Sequence, residues 1–203
     1  MGKVDNDRYK ELFSNAERWM DEACRQLFAA QVLFSPAFLA LRSFERMGSA
    51  SMDAMSLAAE KVKSLSNARA FHLGIAIENA TKARKIINGE ITVFEGKPRG
   101  LRTDHNILEH VRQCGVQLTD KEEKFLERLS FQVSSLAKYP IAKDLESQRK
   151  FTGIIVGSHP EEEPMVMTII AKVIQDTGLE SMFPGPLLAS NNPVQLTSDA
   201  PAD

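Results

Sequence analysis

The feature that most constrains the fold of this chain is a segment near its middle that is apolar on nearly every side of a helix. Residues 67 to 89 read NARAFHLGIAIENATKARKIING, and the part between Ala70 and Ile77 is apolar nearly all round. This pattern is typical of a helix that is buried within a core. Asn67 is a suitable N-cap, and Gly89 stands where a left-handed residue commonly follows a helix. We therefore expect a central buried helix.

Amphipathic helices are predicted ahead of this segment. The first has apolar residues at the i, i+3, i+4 and i+7 spacing over about six turns. Ser35 and Pro36 suit an N-cap and a first helical position, so a separate short helix to about Met47 is expected after them. Residues 51 to 65 form a further predicted helix. The apolar stripe of the first helix consists of Tyr9, Leu12, Phe13, Ala16, Met20, Ala23, Leu27 and Ala30.

The segment after Gly89 breaks the helical pattern. Residues 90 to 103 contain two glycines and a proline beside the short stretch ITVF, which predicts a loop with at most a brief extended piece. Thr103 or Asp104 is expected to cap a short helix that ends at Gly115.

The last third of the chain is also predicted to be helical. Thr119 and Glu122 match a capping box, which opens a helix that Pro140 stops. A charged helix AKDLESQRK, a linker over residues 151 to 160, and a helix that starts acidic and ends at a glycine are expected next. No convincing strand is visible, so the predicted fold class is all-α. Residues 181 to 203 are expected to form a disordered tail.

Composition excludes several classes of protein. With 25 Lys and Arg against 27 Asp and Glu, the net charge of -2 gives no global attraction to nucleic acid, so a basic binding surface must be local. No apolar run approaches the length of a membrane span, and the N-terminus lacks the pattern of a secretory signal. Cys24 and Cys114 are far apart and are expected to be reduced. A cytoplasmic protein without a membrane segment is predicted.

Three fragments in this order resemble the HEPN (higher eukaryotes and prokaryotes nucleotide-binding) family. AFHLGIAIENATKARKIINGE is similar to its first core helix, and PRGLRTDHNILEHVRQCG to its following loop and short helix. KFLERLSFQVSSLAKYPIAKD is similar to its closing helix, with Lys138 where the family has Arg. The resemblance covers about residues 67 to 145. It implies an up-and-down helical bundle that commonly forms a homodimer, with members that are ribonucleases, bind nucleotides or support a nucleotidyltransferase partner.

The resemblance and the chain order together predict four regions. Residues 1 to 65 are expected to form an N-terminal helical extension that packs on the core, and residues 66 to 150 the HEPN-like core. Residues 151 to 180 are expected to hold a C-terminal helix after the linker, followed by the tail over residues 181 to 203.

An Arg and a His at the spacing of HEPN ribonucleases make a catalytic site one hypothesis. Arg99 and His105 have five residues between them, which fits, whereas Arg102 and His110 have seven. In such an enzyme the His moves a proton of the 2′-hydroxyl or the leaving oxygen, and the Arg stabilises the phosphorane charge. Gly100 replaces the expected polar residue after the Arg. The alternative is that His105 is a partly exposed residue at a helix start and His110 a packing residue.

A metal site is not expected. The stretch HNILEH misses both zinc-protease spacings, and residues 105 and 110 lie about 140° apart on a helix. No cofactor-binding loop is present. His72 is interpreted as a hydrogen-bonded core residue, with Asn79 on the same face. Glu78 is expected to pair with Lys82 at i+4 or to face a dimer groove.

A local excess of basic residues is the remaining signal for a ligand. Between positions 82 and 102 there are six cations against Glu90 and Glu95. They predict a phosphate-binding surface for a nucleotide or RNA, or a solvated helix end. The predicted phosphate-binding residues are Lys82, Arg84, Lys85, Lys97 and Arg99, and Arg102 completes the six.

The leading prediction is a HEPN-like module that binds a nucleotide or RNA in a prokaryotic defence or toxin–antitoxin context, for example against phage. A nucleotidyltransferase or an antitoxin would be its protein partner. The alternatives are a metal-independent HEPN ribonuclease toxin and a structural, dimeric helical protein without a ligand.

Overall fold

The structure is a computed structural model that describes residues 10–48, 51–95, 97–101, 104–136, 157 and 159–183. The predicted mainly helical fold is confirmed. In chain order the elements are α1 (Ala16–Glu45), α2 (Met52–Ile87), β1 (Thr92–Phe94), β2 (Lys97–Arg99), α3 (Ile107–Gln113), α4 (Asp120–Phe131), a π-helical turn (Gln132–Leu136), α5 (Glu162–Ile174) and a 3-10 turn (Glu180–Met182).

Helix α1 is longer than the sequence suggests at one end and shorter at the other. It begins at Ala16, where the Asn15 side chain accepts a hydrogen bond from the Arg18 backbone N–H. The expected break at Ser35 and Pro36 is wrong, because the helix continues through Pro36 to Glu45. Proline removes one backbone hydrogen bond and its ring crowds the carbonyl of residue i−4, and Pro36 lies on the exposed side of the helix.

Helix α2 joins two segments that the sequence separates. Ser51 is its N-cap, and its hydroxyl accepts from the Ala54 N–H, so the prediction of Asn67 as a cap is wrong. Asn67 lies within the helix and accepts a hydrogen bond from Gln132 at 2.8 Å. The predicted boundary between residues 65 and 66 therefore falls inside a continuous helix. The predicted end is confirmed, since Gly89 has φ +74 directly after the C-cap Asn88.

The second half of α2 is the centre of the core, as expected. It packs against α1, α3, α5 and the π-helical turn. Gly74 allows a close contact with α3 and the π-helical turn, because a Cβ there would lie 2.6 Å from Val133 Cγ2 and 2.7 Å from Ile107 Cδ1. The core side chains from α2 are Ala70, Leu73, Ala76, Ile77, Ala80 and Ala83.

The loop after α2 contains a small hairpin, so two short strands are present where the sequence showed no convincing one. Strands β1 and β2 pair antiparallel with Thr92 opposite Arg99 and Phe94 opposite Lys97. Gly100 closes the hairpin base with φ +79, and a Cβ there would lie 2.0 Å from the Glu90 carbonyl oxygen. Only glycine fits such an approach.

The caps of the later helices are partly those predicted. Asn106, and not Asp104, caps α3 by accepting from the Glu109 N–H, and Thr103 lies outside the described residues. Gly115 ends this helix with φ +70, as expected.

The C-terminal helix follows the prediction, but the predicted disordered tail is wrong for residues 181 to 183. The 3-10 turn covers Glu180–Met182, and Phe183 is buried in the core. Helix α5 extends over Glu162–Ile174, and the glycine expected at its end, Gly178, adopts φ +78 four residues later. Pro140 and the predicted charged helix lie outside the described residues, as do most of the predicted linker and the tail from residue 184 onward.

The capping box of α4 is confirmed and gives a pH-dependent prediction. Glu122 accepts from the Thr119 backbone N–H at 2.7 Å and from Lys172 Nζ at 2.7 Å. Burial works to raise the pKa of Glu122, but these bonds outweigh it and lower the pKa.

A carboxylate with a lowered folded-state pKa stabilises the fold above its unfolded pKa, and this stabilisation is lost as pH falls through the folded value. Glu122→Gln should therefore cost about 1 kcal/mol at pH 7. The difference from wild type should shrink in urea unfolding below pH 4. A constant difference at every pH would contradict this assignment.

A buried cluster of charged side chains connects α2 to α5. Arg69 is fully buried, and its guanidinium donates to Glu162 at 3.1 Å and reaches Glu163 at 3.5 Å. Glu162 also accepts from the backbone N–H groups of Gly157 and His159. Burial raises the pKa of Glu162, and these donors oppose the shift. The cluster satisfies a cation inside an apolar core, as a buried charge requires.

Helix α1 contains a longer apolar segment than the sequence analysis predicts. It is long and apolar enough to cross a membrane by length and composition, with an 18-residue window of mean hydropathy 1.5. Core helices of soluble proteins meet the same criterion. Only 22% of the residues in this window are buried inside the described structure, and its exposed large apolar side chains are Phe28, Val32 and Leu39.

Candidate functional site

The hairpin presents one exposed polar and aromatic face. Residues two apart on a strand point to the same side, and directly paired residues share that side. Thr92, Phe94, Lys97 and Arg99 therefore lie on one face, and all four are exposed. Val93 and Pro98 lie on the other face and are half-buried. We call the four exposed residues the hairpin face.

Phe94 and Arg99 are already stacked on this face. The guanidinium carbon of Arg99 lies 4.0 Å from the centre of the Phe94 ring, which is a cation–π contact. Phe94 keeps 49% of its surface exposed. Lys97 is opposite Phe94 in the register. An aromatic–guanidinium pair beside a lysine is suited to an anionic ligand that carries a planar ring.

The hairpin follows from a local pattern in the sequence. Two short runs, TVF and KPR, flank Glu95 and Gly96, which is the two-residue spacing of a tight β-turn. Glu95 takes φ +49, the left-handed conformation that such turns require. This spacing was the available signal for the strands, and with it for Phe94 and Thr92, which the sequence reasoning did not select.

His105 lies next to the buried carboxylate of Glu78. Its Nδ1 is 2.8 Å from Glu78 Oε1, and Lys82 Nζ is 3.7 Å from Glu78 Oε2. The predicted pair of Glu78 and Lys82 is thus present, and His105 is a third member that the sequence did not suggest. The His105 side chain is 21% exposed. Lys82 also lies over the Trp19 ring at 5.0 Å.

His110 and His72 are held by neighbours within the fold. His110 is buried, and its Nε2 lies 2.9 Å from the Asp104 carbonyl oxygen and 3.1 Å from that residue's carboxylate. His72 is half-buried and lies 2.6 Å from Gln26, so its partner is not the predicted Asn79. Burial lowers the pKa of His72.

The residues of the predicted basic surface fall into two groups: cations that bind partners within the fold and cations that are exposed. Arg84 donates to the Val173 and Gln175 carbonyl oxygens at the end of α5, at 2.8 and 3.1 Å. Lys85 is buried and donates to Gln113 at 2.7 Å. These two cations, like Lys82, have structural partners. Of the predicted residues, Lys97 and Arg99 are the exposed ones among those the structure describes, and Arg102 lies outside the described part.

The catalytic candidates do not form a single group. Within the described ranges, no hydrogen bond joins Arg99 to His105 or to His110. Arg99 stacks on Phe94, whereas His105 is bound to α2 through Glu78. In the same ranges, no group of three or more His, Cys, Asp or Glu side chains is placed to hold a metal ion.

The two thiols are unreactive by environment. Cys114 is buried, and burial raises its pKa to about 11. Burial also raises the pKa of Cys24. Both thiols therefore remain protonated at neutral pH, and neither is an activated nucleophile.

The chain matches no protein-family model, no curated protein and no solved structure.

Proposed function

We propose that this protein is a non-catalytic, HEPN-like helical module that binds single-stranded RNA or a nucleotide through the hairpin face. The observation that carries the proposal is the exposed stack of Phe94 and Arg99 at 4.0 Å beside Lys97. The module is proposed to be an up-and-down bundle, cytoplasmic and homodimeric, in a defence or toxin–antitoxin context. The resemblance of residues 67 to 145 to HEPN domains supports the bundle and this context, with a nucleotidyltransferase or antitoxin as partner.

The chemistry of the hairpin face supports an RNA or nucleotide ligand. A base stacks on an aromatic ring or on a guanidinium plane, and each such contact contributes about 1–3 kcal/mol to binding. Lys97 is placed to neutralise an adjacent phosphate as a compact point charge. Because the net charge of the protein is -2, attraction to RNA would arise at this face and not from the protein as a whole.

A metal-independent ribonuclease is the second candidate, and one observation favours it. Glu78 orients the imidazole of His105 at 2.8 Å, as a carboxylate orients a catalytic base. We rank it second because Arg99 is stacked on Phe94 and has no bond to His105.

Binding is tested with a fluorescent single-stranded RNA oligonucleotide at low salt, read by anisotropy in the presence of EDTA. Phe94→Ala should weaken binding about tenfold, the loss of one stacking contact. Lys97→Ala should make the slope of log affinity against log salt about 0.7 less steep, as loss of one phosphate contact does. Arg99→Lys keeps the charge but removes the plane, so affinity should fall while the salt slope stays the same.

Matched controls are Ile87→Ala, an exposed apolar residue at the end of α2 that is not part of the face, and Lys121→Ala, an exposed cation on α4. Equal losses in the controls and the hairpin variants would overturn the site. Cleavage of the oligonucleotide in EDTA that His105→Ala abolishes would establish the second candidate instead. If the protein neither binds nor cleaves the oligonucleotide, the remaining hypothesis is a structural helical protein that has no ligand.

A further inference from the structure

Helix α1 carries a coiled-coil seam that nothing in the described chain covers. Positions that alternate three and four residues apart form the seam of a helix pair. In α1 and its C-cap, eight successive positions of this kind are all exposed. They are Asp21, Arg25, Phe28, Val32, Ser35, Leu39, Arg42 and Arg46.

The middle of this seam is apolar and its ends are charged. Phe28, Val32 and Leu39 have 68%, 60% and 52% of their surface exposed. Such a contiguous apolar stripe with a charged rim is typical of an association surface, whereas single exposed apolar residues are not. The small Ser35 at the centre permits close approach of another helix.

The seam is complementary to itself when two copies run antiparallel. A two-fold axis between residues 33 and 34 pairs every seam residue with another seam residue. The facing pairs, one member from each copy, are Asp21 with Arg46, Arg25 with Arg42, Phe28 with Leu39, and Val32 with Ser35. The apolar residues thus meet in the middle, and an opposite-charge pair closes each end.

Charge selects this orientation over the parallel one. Parallel copies would place each charged seam residue against itself, which gives four like-charge layers. In the antiparallel arrangement, the like-charge layers are only the two in which Arg25 faces Arg42. Within its own chain Arg25 is bound to Asp21 at 2.5 Å, and Arg42 to Glu45 at 3.1 Å, which reduces this repulsion.

A groove beside the seam accepts a side chain from the second copy. It has a volume of about 460 Å³ and lies between α1 and the first half of α2, lined by Pro36, Leu39, Leu57 and Lys61 among others. Leu57 in this groove is 71% exposed. Because Phe28 of the second copy faces Leu39, its ring comes to the mouth of this groove.

The seam is extended by surface from α2. Residues 21 to 46 span about 38 Å of helix at 1.5 Å per residue, and a strip one helix wide, about 10 Å, has an area of about 380 Å². The groove with α2 adds to this area, which lies below the roughly 800 Å² per partner of a standard interface.

We propose that the protein forms an antiparallel dimer through the α1 seam. The occupant of the seam is a second copy of this chain. This interface lies outside residues 67 to 145 and does not depend on the hairpin face or on RNA.

The first test is sedimentation of the full chain over a range of concentrations. The wild type should be a dimer, and Phe28→Glu should raise the dimer dissociation constant at least about 100-fold, since each dimer contains this contact twice. Ile87→Glu, the same charge change at an exposed apolar residue outside the seam, should leave the constant unchanged. A wild type that is monomeric at all concentrations, or equal effects of the two variants, would overturn the proposal.

The second test distinguishes the orientation and does not depend on apolar substitutions. Asp21→Arg and Arg46→Asp should each weaken the dimer alone, because each turns the opposite-charge end pairs into like-charge pairs. In a parallel dimer these layers are like-charged already, so neither variant alone would weaken it. An equimolar mixture of the two variants should form a heterodimer in which both end pairs have opposite charges. If the mixture dimerises no better than either variant, the antiparallel seam is wrong. Binding of wild-type monomers to phosphatidylcholine–phosphatidylglycerol vesicles, without dimers in solution, would assign the apolar stripe to a membrane surface instead.

Discussion

Replacing Arg69 with methionine is expected to lower the free energy of unfolding by about 3 kcal/mol. Arg69 is fully buried and joins Glu162 and Glu163 of α5 to α2. It also donates to the Ala30 carbonyl oxygen of α1 at 3.1 Å. Methionine fills similar space but leaves the buried Glu162 without its cation.

The control for this variant is Arg112→Met, which breaks an exposed pair with Glu123 outside the α1 seam and should change stability by less than about 0.5 kcal/mol. In the double variant Arg69→Met with Glu162→Gln, the uncompensated charge is removed, so part of the lost stability should return. Urea unfolding followed by circular dichroism measures all three. A loss below about 1 kcal/mol in Arg69→Met would show that the cluster does not stabilise the contact between α2 and α5.

Replacing Gly157 with alanine is expected to cost about 3 kcal/mol, because it adds a clash to a conformation that side chains rarely adopt. Gly157 has φ +103, and a Cβ there would lie 2.1 Å from the Ser66 carbonyl oxygen. The oxygen belongs to the backbone of α2 and cannot move aside as a side chain would. Displacement of Gly157 would also break its N–H bond to Glu162, which is 2.8 Å long.

Gly115→Ala is the matched control, since Gly115 has φ +70 but nothing within 4 Å of the added Cβ. It should cost only the backbone strain, about 1 kcal/mol. Equal losses at both positions would show that the contact with Ser66 adds nothing. Because Gly157 and Arg69 both bind Glu162, the losses in a Gly157→Ala and Arg69→Met double variant should not add.

Local signals in the sequence predicted the ends of several elements correctly. The capping box of Thr119 and Glu122 and the terminal glycines at 89 and 115 need only residues close in the chain. The apolar run from Ala70 to Ile77 identified the core helix for the same reason. Such features depend on backbone geometry within one or two turns, which the sequence specifies directly.

Two of the wrong predictions were helix breaks that tertiary packing overrides. Ser35 with Pro36, and Asn67, are sound helix starts in isolation. Each instead lies inside a longer helix, because α1 and α2 pack along each other and this contact outweighs one lost hydrogen bond. A rule that uses only neighbouring residues does not include the stabilisation from that packing contact.

The site depended on pairings between distant residues, which no spacing rule gives. Glu78 with Lys82 was predictable at i+4, but His105 reaches Glu78 across 27 positions. Likewise Arg84 and Lys85 belong to a basic stretch in the sequence, yet their partners are on α5 and α3. Only the folded arrangement shows which of these cations stay exposed.

Photocrosslinking of single-stranded RNA containing 4-thiouridine tests the proposed function most directly, since it locates the base on the protein. Digestion and mass spectrometry should place the crosslink within residues 92 to 99, with Phe94 as the main site. The crosslink should fall in Phe94→Ala and persist in Ile87→Ala. A crosslink confined to other segments, or one that Phe94→Ala leaves unchanged, would contradict the assignment of the hairpin face as the RNA-binding surface.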